Sequence, residues 1–359
     1  MVPPPPSLPN GQSWAELWKE LNQDVHRRGA FERVPRWYVL QSLLVLGLFL
    51  VGWGGLLFAP SWPIRIALAL LTGFATVQAG LIGHDAGHKA VSGSQTVNNL
   101  VGQFFFSFLS GYSFDRWTVA HNKHHVKCNE GGVDPDMELG YLAVYPEDAA
   151  SKKGLARFTT RFQHILLPLA LLAQPYSMIT DSVTHLIRSP ERTRADRWCV
   201  LGHVVLWGVI PALILGPVPA LVNFMIRNAM AGPYMSAIFL FNHVGAPTLS
   251  QGQKLPFFYQ QVITSRNLAN HWLLNYLTGG LNHQIEHHLF PAAPRTHFRV
   301  TRPLVQALCE KTGVPYQEVG YLQATVEVWS HFRAMALVAG GQSVVQEEEE
   351  PMGEVAASG

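Results

Sequence analysis

The chain has 359 residues, of which 48% are hydrophobic and 14% charged, and its formal net charge is +2. So large an apolar share excludes an ordinary soluble domain and indicates a membrane protein with a substantial polar part. No basic stripe with interleaved aromatic residues is present, so nucleic-acid binding is not expected.

Four apolar stretches have the length of membrane-spanning helices, because about 20 helical residues cross about 30 Å of hydrocarbon. They are predicted at residues 37–58, 62–82, 198–215 and 219–241. A short uncharged link, such as Ala59-Pro60-Ser61, joins the members of each pair, so the spans form two helical hairpins. Arg227 lies inside the fourth span, where an arginine indicates function, snorkelling or a pair with Asn223.

The distribution of basic residues predicts how the hairpins are oriented. Arg27, Arg28, Arg33 and Arg36 precede the first span, Lys152 and Lys153 are among those between the hairpins, and the two links carry none. The positive-inside rule therefore places both termini, and the long middle segment, in the cytoplasm.

Two further apolar stretches are not counted as spans. Residues 100–112 are too few to cross, and residues 158–179 contain Pro168 and Pro175 and are predicted to lie in the interface.

This pattern divides the chain into three parts. Residues 1–36 are predicted to form a cytoplasmic N-terminal segment, residues 37–335 one domain, and residues 336–359 a polar, disordered tail. The tail contains Glu347 to Glu350 in a row, followed by small residues.

Three histidine clusters lie beside the apolar stretches. They read His84-Asp-Ala-Gly-His88, His121-Asn-Lys-His124-His125 and His283-Gln-Ile-Glu-His287-His288. Imidazoles spaced three or four residues apart share one face of a helix, so each cluster can direct its rings at a single point. Because the predicted topology puts all three clusters on one side of the membrane, they indicate one multinuclear centre for a transition metal such as iron, copper, zinc or nickel.

The clusters resemble the three histidine boxes of the integral-membrane fatty acid desaturases, whose pattern is H-x(3–4)-H, H-x(2–3)-HH and [HQ]-x(2–3)-HH. The matching segments here are His84-x3-His88, His121-x2-His124-His125 and Gln284-x2-His287-His288. The third box is similar to that of the front-end subgroup, although that subgroup usually has an aromatic residue where this chain has His283. The resemblance implies an all-α membrane protein with four transmembrane helices in two hairpins and a cytoplasmic helical cap that holds a dimetal site.

The resemblance also implies a set of metal ligands and leaves four other residues with alternative roles. The implied ligands are His84, His88, His121, His124, His125, His287, His288 and, near the end of the fourth span, His243. His283 and Gln284 either bind metal or support the ligands from outside. Asp85 and Glu286 either fix a ligand histidine through its second ring nitrogen or are exposed partners of Lys89 and Lys123.

The implied activity is O2-dependent desaturation of a lipid acyl chain at two iron ions (Fe2+/Fe3+). No Rossmann fingerprint is present, so the electrons are expected from a separate carrier of the ferredoxin or cytochrome b5 type. The nearest alternative is a diiron hydroxylase or ketolase that acts on a lipid with the same scaffold. A zinc hydrolase fits less well, because such sites use three protein ligands and one open position.

Overall fold

The computed structural model describes residues 2–8, 11–189, 191 and 193–342. The part of the predicted tail from residue 343 onward lies outside the described residues. In chain order the helices are α1 (Trp14–Arg27), α2 (Pro35–Phe58), α3 (Trp62–Gly87), α4 (Gln95–Gly102, continuing as a π-helix over Gln103–Ser110), α5 (Phe114–Val126), α6 (Pro146–Ser151), α7 (Gly154–Arg161), α8 (Gln163–Arg188), α9 (Arg194–Leu215), α10 (Pro217–His243), α11 (Phe257–Ile263), α12 (Trp272–Leu277), α13 (Gln284–Leu289), α14 (Phe298–Thr312) and α15 (Tyr321–Ala339). Two short strands, β1 (Asn267–Leu268) and β2 (Glu318–Val319), pair in parallel.

Among the described residues, α2, α3 and α9 are long and apolar enough to cross a membrane. The helix α10 is not among them, because Asn223, Arg227 and Asn228 lie in its middle. The helices α2 and α9 expose apolar side chains such as Leu40 (68% exposed) and Leu213 (81% exposed). Because water does not favour so many exposed leucines, these helices indicate a membrane protein.

The two predicted hairpins are present as helix pairs. Residues 59–61 separate α2 from α3, and Gly216 alone separates α9 from α10. Gly216 has a φ of +88°, a backbone conformation that favours glycine. Each hairpin therefore turns at the end of the bundle where α3 and α10 begin, and the histidines at the ends of α3 and α10 lie at the opposite end.

The helices α3 and α10 form the centre of the bundle, where small residues allow close approach. A Cβ on Gly73 of α3 would lie 2.5 Å from the carbonyl oxygen of Arg227. A Cβ on Gly232 of α10 would lie 2.3 Å from the carbonyl oxygen of Leu171 in α8. Such contacts place helix backbones closer together than any larger side chain would allow.

Arg227 neither snorkels nor pairs with Asn223. It is 1% exposed, donates to the Ser110 carbonyl (3.0 Å) and to Thr76 Oγ1 (3.1 Å), and lies 4.6 Å from the centre of the Trp207 ring. It thus satisfies a carbonyl at the end of α4, in a helix that is too short to span.

A second layer covers the end of the bundle that carries the histidines. Its core joins α1, α11, α13 and α14 through Leu17, Leu21, Phe258, Ile285 and Val305, among others. The helix α1 begins with a capping box formed by Ser13 and Glu16. The N-terminal segment 1–36 therefore shares one core with the predicted domain.

The remaining helices extend this layer sideways. The helix α8 is continuous through Pro168 and Pro175 and packs along α10. The helix α15 packs on α7 and α8, where the Gln163 amide donates to the Phe332 carbonyl (3.0 Å). Because α15 continues to Ala339, the folded part extends beyond residue 335, where the sequence pattern placed its end.

Candidate metal centre

Four helices bring the predicted ligands together. His84 lies in the last turn of α3 and His88 directly follows that helix. The helix α5 contributes one face with three histidines, α13 contributes two adjacent ones, and α10 ends at His243. All eight predicted ligands, His84, His88, His121, His124, His125, His243, His287 and His288, occupy one continuous cluster of rings.

The cluster divides into two groups that could each hold a metal ion. Within each group the candidate ligand atoms lie within 4.8 Å of one another. The first group is His84, His88, His121 and His287, and the second is His124, Cys128, His243 and His288. His125 lies between the groups, with its ring centre 4.7 Å from that of His287 and 4.3 Å from that of His288. The arrangement fits two neighbouring ions.

The donor atoms themselves fit a metal. Buried nitrogens without a hydrogen-bond partner among the described residues occur in both groups and in His125: Nε2 of His84, His88, His287 and His288, and Nδ1 of His125. A buried polar atom without a partner is destabilising, and a bound ion would satisfy these nitrogens together. Burial lowers the pKa of His88, His121, His125, His287 and His288 well below the ordinary value, so these rings are neutral, which is the form that binds metals.

Several ligand rings are held by a partner at their second nitrogen. Nδ1–H of His124 donates to Asp134 (2.9 Å), that of His288 to the Gln261 side-chain oxygen (2.9 Å), and that of His243 to the Thr264 carbonyl (3.0 Å). Each bond fixes the tautomer and turns Nε2 toward the cluster. None of these three partners was among the site residues predicted from the sequence. Of the three, only Asp134 lies close to its histidine in the sequence, ten residues after His124, so only Asp134 could have been found from a local pattern.

His124 differs electrostatically from the other rings. Burial alone would lower its pKa, but Asp136 and Asp134 outweigh that effect and raise the pKa to about 9. A metal ion in the second group therefore competes with a proton for this ring.

Asp85 supports the first group. Its carboxylate is buried and accepts hydrogen bonds from His84 Nδ1 (3.3 Å), the Tyr38 hydroxyl (2.7 Å) and Arg295. The sequence left open whether Asp85 fixes a ligand or pairs with Lys89, and the geometry favours the first role. Glu286 does neither, because its carboxylate accepts from Asn267 and from the Tyr316 hydroxyl, each at 2.8 Å.

Gln284 and His283, which are neighbours in the sequence, have different surroundings in the structure. The Gln284 amide nitrogen lies 2.8 Å from His243 Nε2, and the Gln284 side-chain oxygen accepts from Asn242. His283 belongs to neither group of ligand atoms. It directly precedes α13 and lines a separate cleft, with its ring centre 6.5 Å from that of Phe298.

An apolar cavity lies beside the first group. His84 and Trp117 line it together with residues of α3, α4, α8 and α10, among them Leu81, Phe106, Met178 and Met235. The free volume of the cavity is small, about 30 Å³. The apolar surface of the cavity therefore extends to His84, a candidate metal ligand.

Comparison with known proteins gives one family. The sequence model described as Fatty acid desaturase matches residues 60–320. The chain is 29% identical over 344 residues to a Delta(8)-fatty-acid desaturase of Helianthus annuus, which covers 90% of this chain and 73% of the relative. It is 26% identical over 338 residues to an acyl-lipid (9-3)-desaturase of Borago officinalis (90% and 75%), and 26% identical over 327 residues to a Delta(6)-fatty-acid desaturase of Caenorhabditis elegans (86% and 72%).

Proposed function

Because the chain belongs to the fatty acid desaturase family, and is therefore an oxidoreductase that desaturates fatty acids, we propose that its two ligand groups hold a pair of iron ions. The observation that carries the proposal is the convergence of two groups of ligand atoms with unpartnered buried nitrogens. Imidazole is a ligand that suits iron.

The first group would hold one iron through His84, His88, His121 and His287. The second would hold the other through His124, His243 and His288, with His125 between the two ions. When bound, the iron pair supplies the oxidant: one O2, two electrons and two protons yield two water molecules as two neighbouring CH2 groups lose two hydrogens. Gln284, beside His243, is suited to orient a water molecule at the second ion.

The apolar cavity is the proposed path of the acyl chain past the irons. His84 lines this cavity, so an acyl chain within it would have methylene groups beside the first ion. The free volume of about 30 Å³ is smaller than an acyl chain, so binding requires side chains to move. Met178 and Met235 are suited to this because methionine is unbranched and flexible. Which carbons lie beside the irons then decides the position of the double bond.

We propose that α10 is a fourth membrane span and that the histidine end of the bundle faces the cytoplasm. Two arguments support this orientation. The basic residues lie before α2 and between the hairpins, whereas the links carry none. In addition, α3 and α10 both run from a link toward the histidines, so an even number of spans keeps all ligands on one side. The helix α8, with apolar side chains exposed at Ile165 and Leu169, would lie in the interface.

The names of the relatives indicate the kind of substrate. They are Delta(8), Delta(6) and acyl-lipid (9-3) desaturases, so we propose that the substrate is the acyl chain of a lipid and that the new double bond lies in the part nearest its carboxyl end. We further propose that a separate carrier of the ferredoxin or cytochrome b5 type delivers the electrons.

The test is gas chromatography–mass spectrometry of total fatty acids from a host that expresses the chain. A His287→Ala/His288→Ala variant removes one ligand from each group, and His271→Ala changes an exposed histidine outside the cluster. New unsaturated species with the wild type and His271→Ala, but not with the double variant, support the proposal. Hydroxylated or keto products in their place would contradict it in favour of the oxygenase alternative. Iron analysis of the purified protein tests the metal separately, and an iron content near zero after reconstitution would exclude the diiron assignment.

A further inference from the structure

We propose that a cleft with two arginines, next to the metal centre, binds the phosphate-bearing head of the acyl substrate. The cleft has a volume of about 550 Å³, within the range of small-molecule sites. It lies between the start of α2, at Trp37, and the segments before α13 and α14, where His283, Arg295 and Arg299 line it. The inference rests on the proposed function, because it assigns part of the same substrate.

His283 is the residue that points to a ligand. It is 3% exposed, and its Nδ1 atom has no hydrogen-bond partner among the described residues. Thr296, on the same cleft, has a buried hydroxyl that likewise lacks a partner in the described part of the chain. Both residues line the cleft, and since buried polar groups are normally satisfied, a polar ligand bound there would complete them.

The charge of the cleft selects an anion. Two arginines, Arg295 and Arg299, line it, and none of its described lining residues is acidic. Asp85 occupies the Nε edge of the Arg295 guanidinium, whereas Arg299 is exposed and forms no ion pair with the residues described here.

The cleft is adjacent to the acyl path. The Arg295 guanidinium donates to the carbonyl of Leu81, whose residue also lines the apolar cavity. His283 precedes His287 by one helical turn, about 6 Å along a helix axis. A head held in the cleft would therefore leave only a short part of the acyl chain between the head and the irons. This agrees with a double bond near the carboxyl end.

The surroundings of the cleft place it at a membrane surface. Trp37 stands at the start of a candidate span, and its ring centre lies 5.8 Å from the Arg295 guanidinium carbon. On the other side, α12 exposes Trp272 (73%) and Leu273 (42%), next to the lining residues Asn275 and Tyr276. Tryptophan is enriched at the membrane–water interface, where phosphorylated heads of lipids and of acyl carriers are found.

Binding of radiolabelled probes to the full, iron-loaded chain in dodecyl maltoside tests the assignment without turnover. Three probes share one acyl chain: oleoyl-lysophosphatidylcholine, oleoyl-coenzyme A and methyl oleate, which has no phosphate. For His283→Ala/Arg299→Ala we expect the Kd of at least one phosphate-bearing probe to rise about tenfold or more, because charge-assisted hydrogen bonds are lost. The Kd of methyl oleate should stay within about twofold. The probe that weakens identifies the source of the phosphate, a phospholipid or coenzyme A.

The matched control is His26→Ala/Arg333→Ala, which removes an exposed histidine and an exposed arginine that do not line the cleft and should leave all three Kd values unchanged. Equal binding of both phosphate-bearing probes to wild type and variant would overturn the proposal, as would an equal loss for methyl oleate. If the double variant unfolds or loses iron, Arg299→Glu at its exposed position repeats the measurement. Fatty-acid analysis reports separately on desaturation, so a failure of the proposed function leaves the binding result interpretable.

Discussion

At the scale of single residues, the centre depends on groups that never touch the metal. Asp134 is fully buried and accepts from His124 Nδ1, and its other contacts are backbone N–H groups of Asn129 and Asp136. These backbone bonds hold the carboxylate in place before a metal arrives. It can therefore orient His124 rather than follow it.

We expect Asp134→Asn to lower the affinity of the second ion by about 10- to 100-fold, because the ring loses its carboxylate acceptor. Iron analysis at limiting iron should then approach one ion per chain, with the first group still loaded. The matched control is Glu286→Gln, a buried carboxylate beside the ligands that faces Asn267 and Tyr316. Equal iron contents in the two variants would show that Asp134 does not orient a ligand.

Cys128 lies among the candidate ligands of the second group, but its thiol is not expected to bind iron. Its Sγ lies 3.5 Å from His243 Nδ1 and donates to the Thr264 carbonyl at 3.8 Å. Burial, with Asp134 adding to it, raises the pKa of the thiol well above its ordinary value, so the thiolate that would bind iron is disfavoured. We expect Cys128→Ala to keep both irons and to leave the visible absorption unchanged. A thiolate-to-iron band in the wild type that disappears in the variant would show that Cys128 is a ligand.

The sequence revealed the histidines but not their supports. Spacing on a helix is local, so His84 and His88, or His124 and His125, can be recognised within a few residues. Gln261 lies in α11 and Thr264 directly follows that helix, more than twenty residues from His288 and His243, so no local pattern near these histidines contains them. His283 was ambiguous because periodicity assumes a helix. The helix α13 begins at Gln284, so residue 283 does not continue its face.

At the scale of helices, the distance between α3 and α10 sets the distance between ligands. The two helices carry His84 and His243 at their ends and touch at Gly73. We expect Gly73→Ala to destabilise the protein by about 1–3 kcal/mol, because the new Cβ meets the rigid Arg227 carbonyl and forces the helices apart. Thermal unfolding of the purified protein in detergent measures the loss, and iron content should fall with it.

Gly47 provides the matched control, since it lies inside α2 and a Cβ there meets nothing within 4 Å. Gly47→Ala should be neutral or slightly stabilising, because alanine favours the helix. If both variants unfold at the same temperature, close contact at Gly73 does not limit the spacing of α3 and α10.

Hairpins are predictable from sequence, whereas helix partners are not. Apolar runs separated by Pro60 or by Gly216 mark α2, α3, α9 and α10 to within a few residues. The partners of Arg227 lie on α3 and α4, and those of Gly232 on α8, so no local pattern contains them. The N-terminal helix α1 was assigned to a separate segment because it precedes the first predicted span. Its packing against α14 depends on residues almost three hundred positions away.

At the scale of the whole molecule, the metal centre lies where two separately packed layers meet. The bundle contributes His84, His88 and His243 from α3 and α10, and the covering layer contributes His287 and His288 from α13. The covering layer has its own apolar core, which includes Leu17, Val25 and Phe258. Between the layers, by contrast, lies a concentration of buried imidazoles whose unpartnered nitrogens a bound ion would satisfy.

Removal of iron should therefore loosen the contact between the two layers before it loosens the core of either layer. We expect hydrogen exchange of the chelated protein to rise in α5 and α13, while α1 and the core of α14 stay protected, because apolar burial holds the latter without metal. Mass spectrometry of exchanged peptides from iron-loaded and chelated protein in detergent measures the difference. The melting temperature should fall as well, since an ion bound only by the folded state stabilises it. Uniform exchange across both layers after chelation, or no change at α5 and α13, would contradict a metal-held junction.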